Sequence, residues 1–122
     1  SIAILSSNYG FKYYVHSAES ADTVKPKPGQ KVLFTYAVKN IRGEIIYDTT
    51  QTGQIQYVVD KEKHFEGLRE AVKLLSAGQT GTFFFPSALA YGNMGDGSRI
   101  GPNQPLICTV TLLEIKPDNP WL

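Results

Sequence analysis

Residues 64–85, HFEGLREAVKLLSAGQTGTFFF, contain a change of hydrophobic period. Apolar residues in the first half recur at helical spacing, at Phe65, Leu68, Val72 and Leu75. Gly78, in the turn that follows, suits the left-handed conformation that ends many helices. Residues 80–85 then have the composition of a strand. The segment predicts one short helix that leads into a sheet.

Outside this helix the chain mostly alternates between apolar and polar residues, which is the period of a strand with one buried face. The expected strands cover residues 9–16, 31–39, 45–50, 57–59, 80–85 and 106–116. Arg42-Gly43 indicates a hairpin between two of these strands. We therefore predict an α+β fold, an antiparallel sheet of about five to six strands packed on one short helix.

Length and charge limit what the chain can be. Its 122 residues, 42% of them hydrophobic, suffice for one compact domain. We expect that domain over residues 9–116, with an N-terminal stub over 1–8 and a C-terminal tail over 117–122. The formal net charge of +1 gives little attraction for phosphate groups, so we expect no nucleic-acid partner.

Sequence patterns of a nucleophile, a metal site or a phosphate-binding loop are not found. The one cysteine, Cys108, lies in an apolar run and is expected to be a buried structural thiol, so an internal disulfide cannot form. His16 and His64 are far apart and lack neighbours at ligand spacing. We therefore expect no metal and no cofactor.

Two features indicate a binding cleft instead. Residues 86–105 hold four glycines and three prolines without periodicity, and so long a stretch in a compact domain is usually functional or disordered. The chain also has seven tyrosines and six phenylalanines. A tyrosine suits a pocket that is apolar yet holds a carbonyl, although for any one ring core filling is the commoner role.

One reaction suits such a pocket without an ionisable catalyst. Rotation of an X-Pro amide crosses a barrier of about 18–20 kcal/mol and is slow. The carbonyl is less dipolar in the twisted transition state, so water stabilises the planar ground state better. A dehydrated cleft that grips the proline ring therefore favours the twisted form. Lowering the barrier by about 5 kcal/mol gives a rate gain of roughly a thousand to ten thousand.

Four motifs occur in register: GEIIYDTT at 43–50, FEGL with LLSAGQ at 65–68 and 74–79, ALAYG at 88–92, and IGPNQPL at 100–106. Their order and spacing resemble the FKBP family of peptidyl-prolyl cis/trans isomerases, over about residues 9–116. The resemblance implies a twisted antiparallel sheet wrapped around one short helix, with a proline pocket between them. It also implies that residues 86–105 form a flap over the cleft.

The resemblance further implies roles for single residues. The catalytic set would be Tyr36, Asp48 and Tyr91: the Tyr91 hydroxyl donates to a substrate carbonyl, and Asp48 organises polar contacts with Tyr36 at the pocket edge. The Ile100 N–H would donate to a neighbouring carbonyl. The substrate-binding residues would be Tyr47, Ile55, His64, Phe65, Leu68, Ile100 and Cys108. Plainer roles stay open: Asp48 as the cap of a turn, Tyr91 as a loop anchor, and His64 at the solvent edge of the helix start.

The sequence departs from the family pattern in the pocket. Leu68 stands where the family usually has tryptophan, and Ile55 and Cys108 stand where it has aromatic residues. Tyr47 replaces a phenylalanine, and Gly101-Pro102 replaces a double proline. The smaller side chains predict a roomier floor, weaker isomerase activity and poor binding of macrolide inhibitors. A non-catalytic binding module or chaperone with the same fold is therefore the alternative function.

Two stretches, NYGF at 8–11 and LFTYAV at 33–38, also resemble the gliding-motility-associated FKBP lipoproteins of Bacteroidetes. This resemblance implies a location in the cell envelope or periplasm, with a membrane contact only through a lipid anchor upstream of this chain. The expected partners are proline-containing polypeptide clients, and we expect a monomer.

Overall fold

The computed structural model describes residues 4–16 and 24–116. Its strands are β1 (Leu5–Ser6), β2 (Lys12–Val15), β3 (Lys31–Lys39), β4 (Ile45–Tyr47), β5 (Ile55–Val58), β6 (Thr80–Phe85) and β7 (Leu106–Ile115). Its helices are α1 (Thr49–Thr52) and α2 (Glu66–Ala71), and 3-10 turns cover Val72–Leu74 and Ser87–Leu89. In these two ranges no helix combines the length and the apolar character needed to cross a membrane.

The three longest strands form the centre of one antiparallel sheet. The strand order is β1-β2-β6-β7-β3-β4, and β5 also pairs with β3. Cys108 in β7 is opposite Val38 of β3 on one side and Phe83 of β6 on the other. The position of Cys108 is therefore the middle of the sheet.

The core lies between one face of this sheet and α2. Alternate side chains of β3 and β7 are buried, as strand periodicity requires: Val32, Phe34 and Val38, then Leu106, Cys108, Val110 and Leu112. The helix and the turn after it contribute Leu68, Ala71, Val72 and Leu75. Each of these helical residues is at most 1% exposed, so the helix is held mainly by apolar burial.

Gly67 allows α2 to approach β6 closely. A Cβ atom at this position would lie 2.6 Å from Cδ1 of Phe85 and 2.9 Å from the backbone oxygen of Leu89. Both distances are too short for van der Waals contact, so a side chain here would push the helix away. The close approach places the residue before the helix, Phe65, next to the loop that follows β6.

The predicted α+β fold is confirmed: an antiparallel sheet packs against one short helix of the expected position. Gly78 has the expected left-handed conformation, with φ +87°, but α2 ends at Ala71 and the 3-10 turn at Leu74, so this glycine lies in the turn beyond the helix. The described residues form seven strands rather than six, because Leu5–Ser6, expected to be part of a stub, pairs with β2.

Two expected strands are shorter than their hydrophobic patterns indicate. The first begins at Lys12, because Gly10 has φ +98°, and Tyr9 is 52% exposed. The strand expected over 45–50 ends at Tyr47, where Asp48 begins α1. The expected tail over 117–122 and the first three residues of the expected stub lie outside the described residues.

Candidate functional site

Five side chains from four parts of the chain meet beside the start of α2, and we call this group the tyrosine cleft. Its members are Tyr36 of β3, Tyr47 of β4, Phe65 before α2, and Tyr91 and Asp96 of the loop over 86–105. The rings of Phe65 and Tyr91 have centroids 5.1 Å apart. All five side chains are partly exposed, so the cleft is open to solvent. Four of them belong to the predicted set; Asp96 does not.

Two tyrosine hydroxyls in the cleft are available as donors. Burial raises the pKa of Tyr91 to about 12, and nearby Tyr36 and Asp96 act in the same direction. Burial also raises the pKa of Tyr36, with Cys108 and Tyr47 adding to the effect. Within the described part of the chain, neither hydroxyl has a hydrogen-bond partner. Both therefore stay protonated near neutral pH and can donate to a ligand carbonyl.

Asp48 does not make the contacts that the resemblance implied. Its carboxylate accepts hydrogen bonds from the Thr50 hydroxyl at 2.6 Å and from the Gln51 N–H at 3.0 Å. The Gln51 side chain accepts from the Asp48 N–H at 2.9 Å, which completes a capping box at the start of α1. The expected contact with Tyr36 is therefore wrong, and the role as a cap is confirmed. The hydrogen bond from Thr50 is the main cause that lowers the pKa of Asp48.

Asp48 still supports the cleft through α1. The hydroxyl of Thr52, at the end of this short helix, donates to the backbone oxygen of Tyr36 at 2.6 Å. The cap fixes the turn that presents Thr52, and Thr52 in turn holds the backbone of Tyr36. Asp48 therefore acts on the cleft indirectly, by positioning.

Asp96 is the carboxylate that faces the tyrosines. Its Oδ2 accepts from the Tyr47 hydroxyl at 2.7 Å, and its Oδ1 accepts from the N–H groups of Ser98 at 2.8 Å and Ile100 at 2.9 Å. Burial alone would raise the pKa of Asp96, but the hydrogen bonds from Tyr47, Ile100 and Ser98 outweigh it and lower that pKa.

This arrangement corrects the role expected of Ile100. Its N–H is already bound by the Asp96 carboxylate, so it is not free to donate to a substrate carbonyl. Its side chain is 3% exposed and belongs to the core. The Phe65 N–H, by contrast, has no hydrogen-bond partner within the described residues and begins α2 beside Tyr91. It is the available backbone donor at the cleft.

Arg99 fastens the same loop to β4. Its guanidinium donates to the backbone oxygen of Ile46 at 3.0 Å and lies over the ring of Tyr47, 5.4 Å from the centroid. A cation over a tyrosine ring is stabilising by about 0.5–1 kcal/mol at an exposed site. The loop is thus attached to β4 by both the hydroxyl and the ring face of Tyr47.

Two predicted pocket residues lie beneath the cleft rather than on its surface. Leu68 is 1% exposed and Cys108 is fully buried. Burial strongly raises the pKa of Cys108, so the group remains a thiol. The side chains of Leu68 and Cys108 are thus covered by their neighbours, and the roomier floor stays a prediction.

His64 and Ile55 lie at the side of the cleft where β5 meets β3. The His64 ring packs edge-on against Tyr57 and Phe34, with centroids 5.2 Å and 6.0 Å away. Burial lowers the pKa of His64 and outweighs the nearby Glu62, so the imidazole is neutral at pH 7. Ile55 pairs with Phe34 across the strands and is half-buried. These contacts give both residues a packing role.

Sequence reasoning missed Asp96, although two signals pointed to it. Tyr47 carries a hydroxyl at a position where the family usually has phenylalanine, and a partner for that hydroxyl is to be expected. Asp96 lies in a Gly-Asp-Gly stretch of the loop, where the backbone can fold around a carboxylate. No group of three or more metal-ligating side chains forms within residues 4–16 and 24–116.

Comparisons with a family model and with curated proteins both relate this chain to the same family. The family model of FKBP-type peptidyl-prolyl cis-trans isomerases matches residues 22–113. The chain is 29% identical over 115 residues to a probable FKBP-type peptidyl-prolyl cis-trans isomerase of Haemophilus influenzae, covering 93% of the chain and 46% of that relative. It is 31% identical over 115 residues to the outer membrane protein MIP of Legionella longbeachae, covering 94% and 47%.

A solved structure shares the fold. The crystal structure of FkpA from Escherichia coli superposes with a TM-score of 0.77 at 28% identity, covering 95% of this chain and 53% of that one. The chain thus spans about half the length of the curated relatives it matches.

Proposed function

The chain belongs to the family of FKBP-type peptidyl-prolyl cis-trans isomerases, and on that premise we propose that it accelerates the rotation of X-Pro bonds in polypeptide clients. The observation that carries this proposal is a pair of hydroxyls, of Tyr36 and Tyr91, in a partly buried aromatic cleft; among residues 4–16 and 24–116 neither hydroxyl has a hydrogen-bond partner. Such a cleft supplies hydrogen-bond donors without supplying water.

The proposed mechanism needs no proton transfer. The aromatic walls, among them Phe65 and Tyr91, surround the proline ring and displace water from its amide. Loss of water removes the preferential stabilisation of the planar amide, which lowers the barrier to rotation. The hydroxyl of Tyr91 and the N–H of Phe65 hold carbonyls that flank the proline. They orient the peptide so that the rotating carbonyl lies in the dehydrated part of the cleft.

Tyr36 is proposed as a second donor at the opposite wall of the cleft. Its hydroxyl is near enough to Tyr47, Asp96 and Cys108 for those groups to raise its pKa. Asp48 is proposed to support this tyrosine through Thr52 rather than to touch the substrate. The catalytic residues are then Tyr36 and Tyr91.

A binding module or chaperone with little turnover is the second candidate. The small side chains of Leu68, Ile55 and Cys108 favour it, because they enclose a proline ring less closely than the aromatic residues usual in the family. A roomier site grips the ring less firmly and excludes less water. Weak isomerase activity and poor macrolide binding are the corresponding expectations.

A cell-envelope location is proposed from the relatives, since the Legionella longbeachae protein is named an outer membrane protein. We also propose a lipid anchor, a link to gliding motility and a monomeric state. Fractionation of cells that express the full-length protein, followed by detection in the membrane and periplasmic fractions, tests the location. Size-exclusion chromatography tests the monomer.

A protease-coupled assay on a short X-Pro peptide tests the proposed activity. Removal of one neutral hydrogen bond is expected to lower kcat/KM about five- to tenfold for Tyr91→Phe, and the Tyr36→Phe/Tyr91→Phe double variant should lose about thirtyfold or more. Tyr14→Phe is the matched control, because Tyr14 stacks on His16 at the far end of β2 and lies outside the cleft. A double variant as active as Tyr14→Phe would remove the assigned site. A wild-type chain that binds the peptide without accelerating rotation would favour the second candidate.

A further inference from the structure

Residues 92–101 form the tip of the loop over the tyrosine cleft, and ordering their backbone costs much conformational entropy. Gly92, Gly95 and Gly97 all have positive φ, at +61°, +70° and +76°. Glycine loses more conformational freedom on ordering than any other residue. Met94, which precedes Gly95, is 82% exposed, so burial of apolar side chains does not hold this part of the tip in place. Other interactions must fix its conformation.

Asp96 provides those interactions from inside the loop. Its carboxylate binds the N–H groups of Ser98 and Ile100, and its own N–H donates to the Ile100 oxygen at 3.0 Å. The turn is so tight that a Cβ at Gly95 would lie close against the Ile100 oxygen and the Gly101 carbonyl carbon. One ionised side chain therefore closes the ring of residues 95–101. Hydrogen bonds to a charged acceptor are roughly twice as strong as those to a neutral one.

Tyr47 connects this closed ring to the sheet. Its hydroxyl donates to Oδ2 of Asp96 at 2.7 Å, across 49 residues of sequence. The Tyr47 hydroxyl oxygen also accepts a hydrogen bond from the backbone N–H of Arg99, with an N···O distance of 3.4 Å. The residue opposite Tyr47 across the sheet is Val38 of the buried core. The Tyr47 hydroxyl, which a phenylalanine would lack, is thus one of the groups that attach the loop tip to β4, together with the Arg99 guanidinium.

We propose that Asp96 is a positioning residue that, through its hydrogen bond with Tyr47, holds residues 92–101 over the tyrosine cleft and so sets how tightly the cleft grips a proline peptide. The inference rests on the proposed function, because grip matters for the reaction that the cleft is proposed to catalyse. Asp96 holds two groups that border the cleft: the loop that carries Tyr91, and Ile100, which anchors the loop in the core.

A residue that merely stabilised the fold would behave differently. Its loss would lower the melting temperature and leave the folded fraction with a normal affinity for peptide. A positioning residue leaves the core intact, so its loss weakens peptide affinity while kcat for bound peptide changes little. Opening of the loop would also be local, and amide hydrogen exchange detects local opening directly.

The experiment compares Tyr47→Phe, Asp96→Asn, Asp96→Ala and the Tyr47→Phe/Asp96→Asn double variant. Tyr14→Phe is the control for loss of a phenol hydroxyl. Glu114→Gln is the control for loss of a carboxylate, since Glu114 is exposed near the end of β7 and pairs with Lys116. Three quantities are measured by nuclear magnetic resonance and optical methods: exchange of the Ser98 and Ile100 amides, the dissociation constant of an X-Pro tetrapeptide by titration, and the melting temperature. KM and kcat for the same peptide are measured in parallel.

We expect Tyr47→Phe to speed exchange at Ser98 and Ile100 about tenfold and to weaken peptide binding about three- to tenfold, with kcat within about twofold of wild type. Asp96→Ala should have the larger effect. Asp96→Asn should be intermediate, because its amide oxygen still accepts from the two backbone N–H groups. The double variant should be little worse than Asp96→Asn, since both changes break the same contact.

Two results would overturn the proposal: unchanged amide exchange in Asp96→Ala, or faster exchange with unchanged peptide affinity. A melting temperature that falls in all four variants and not in the controls, while the folded fraction keeps its normal peptide affinity, would assign Asp96 a purely structural role and also overturn it. The exchange and titration measurements do not depend on turnover. A wild-type chain without isomerase activity would therefore count against the proposed function alone, while the exchange and affinity data still decided the role of Asp96.

Discussion

The central sheet with α2 and the loop over residues 86–105 are held by different forces. In the sheet, strands β3, β6 and β7 bury alternate apolar side chains against the helix, and many of these side chains are less than 2% exposed. In the loop, the exposed tip depends on hydrogen bonds of Asp96 and Arg99 to β4. The sheet therefore determines whether the chain folds, and the loop determines the shape of the cleft. Substitutions in the two regions should separate stability from ligand affinity.

The largest expected effect is on stability, from a large-to-small change in the sheet. Phe83 is fully buried and contacts Phe11, Tyr13 and Phe85. Phe83→Ala should lower the free energy of unfolding by about 3–5 kcal/mol, through lost burial and a residual cavity. Denaturant unfolding measures this loss. The matched control is Phe84→Ala on the opposite face of β6, where the ring is half-buried and the loss should be clearly smaller. Equal losses would contradict the assignment of faces.

Gly67 lies where the two regions meet, so its substitution tests how separate they are. Replacing a helical glycine by alanine usually stabilises a helix by about 1 kcal/mol. Here the added Cβ would meet Phe85 and the Leu89 oxygen at under 3 Å. Gly67→Ala should therefore destabilise by about 1–3 kcal/mol and also displace the first residues of the loop. Gly101→Ala is the comparison, because its Cβ would find its nearest neighbour at an ordinary 3.6 Å. A stabilised Gly67→Ala variant would show that α2 has room to shift.

Asp48 tests whether a polar contact away from the loop also affects the cleft. If its carboxylate only caps α1, Asp48→Asn should keep activity within about twofold, because asparagine is an equally good N-cap. Asp48→Ala should lower activity by a few-fold, because α1 would hold Tyr36 less firmly through Thr52. Peptide turnover of the two variants decides the matter. Equal and large losses of activity in Asp48→Asn and Asp48→Ala would show that the negative charge of Asp48 acts directly in the cleft.

The sequence predicted the strands of the sheet and their buried faces, but it did not predict the hydrogen bonds of the cleft and its loop. The alternation in residues 31–39 and 106–116 predicted β3 and β7 and their buried faces, because burial repeats with a fixed period. The glycines and prolines of 86–105 predicted a cleft loop. The partners of Asp48, Asp96 and the Ile100 N–H were not predictable, because a hydrogen bond depends on backbone angles and on contacts across long sequence separations. Tyr47 and Asp96 are 49 positions apart.

The smallest expected effect is the pH dependence that His64 gives to stability. Its imidazole packs against Tyr57 and Phe34, and burial lowers its pKa below the unfolded value of about 6.5. For a base whose pKa is lowered by folding, the unfolded state binds the proton more readily. The stabilisation is therefore complete above about pH 6.5 and is lost as the pH falls from there toward the lower folded pKa. The free energy of unfolding should decline between about pH 7.5 and 5.5, before the carboxylates of Asp48 and Asp96, whose pKa values are lowered, begin to protonate.

In His64→Leu this decline should be reduced while peptide affinity at pH 7.5 stays near that of wild type. A decline that is unchanged in His64→Leu would mean that the edge of β5 opens to water and belongs with the loop rather than with the core.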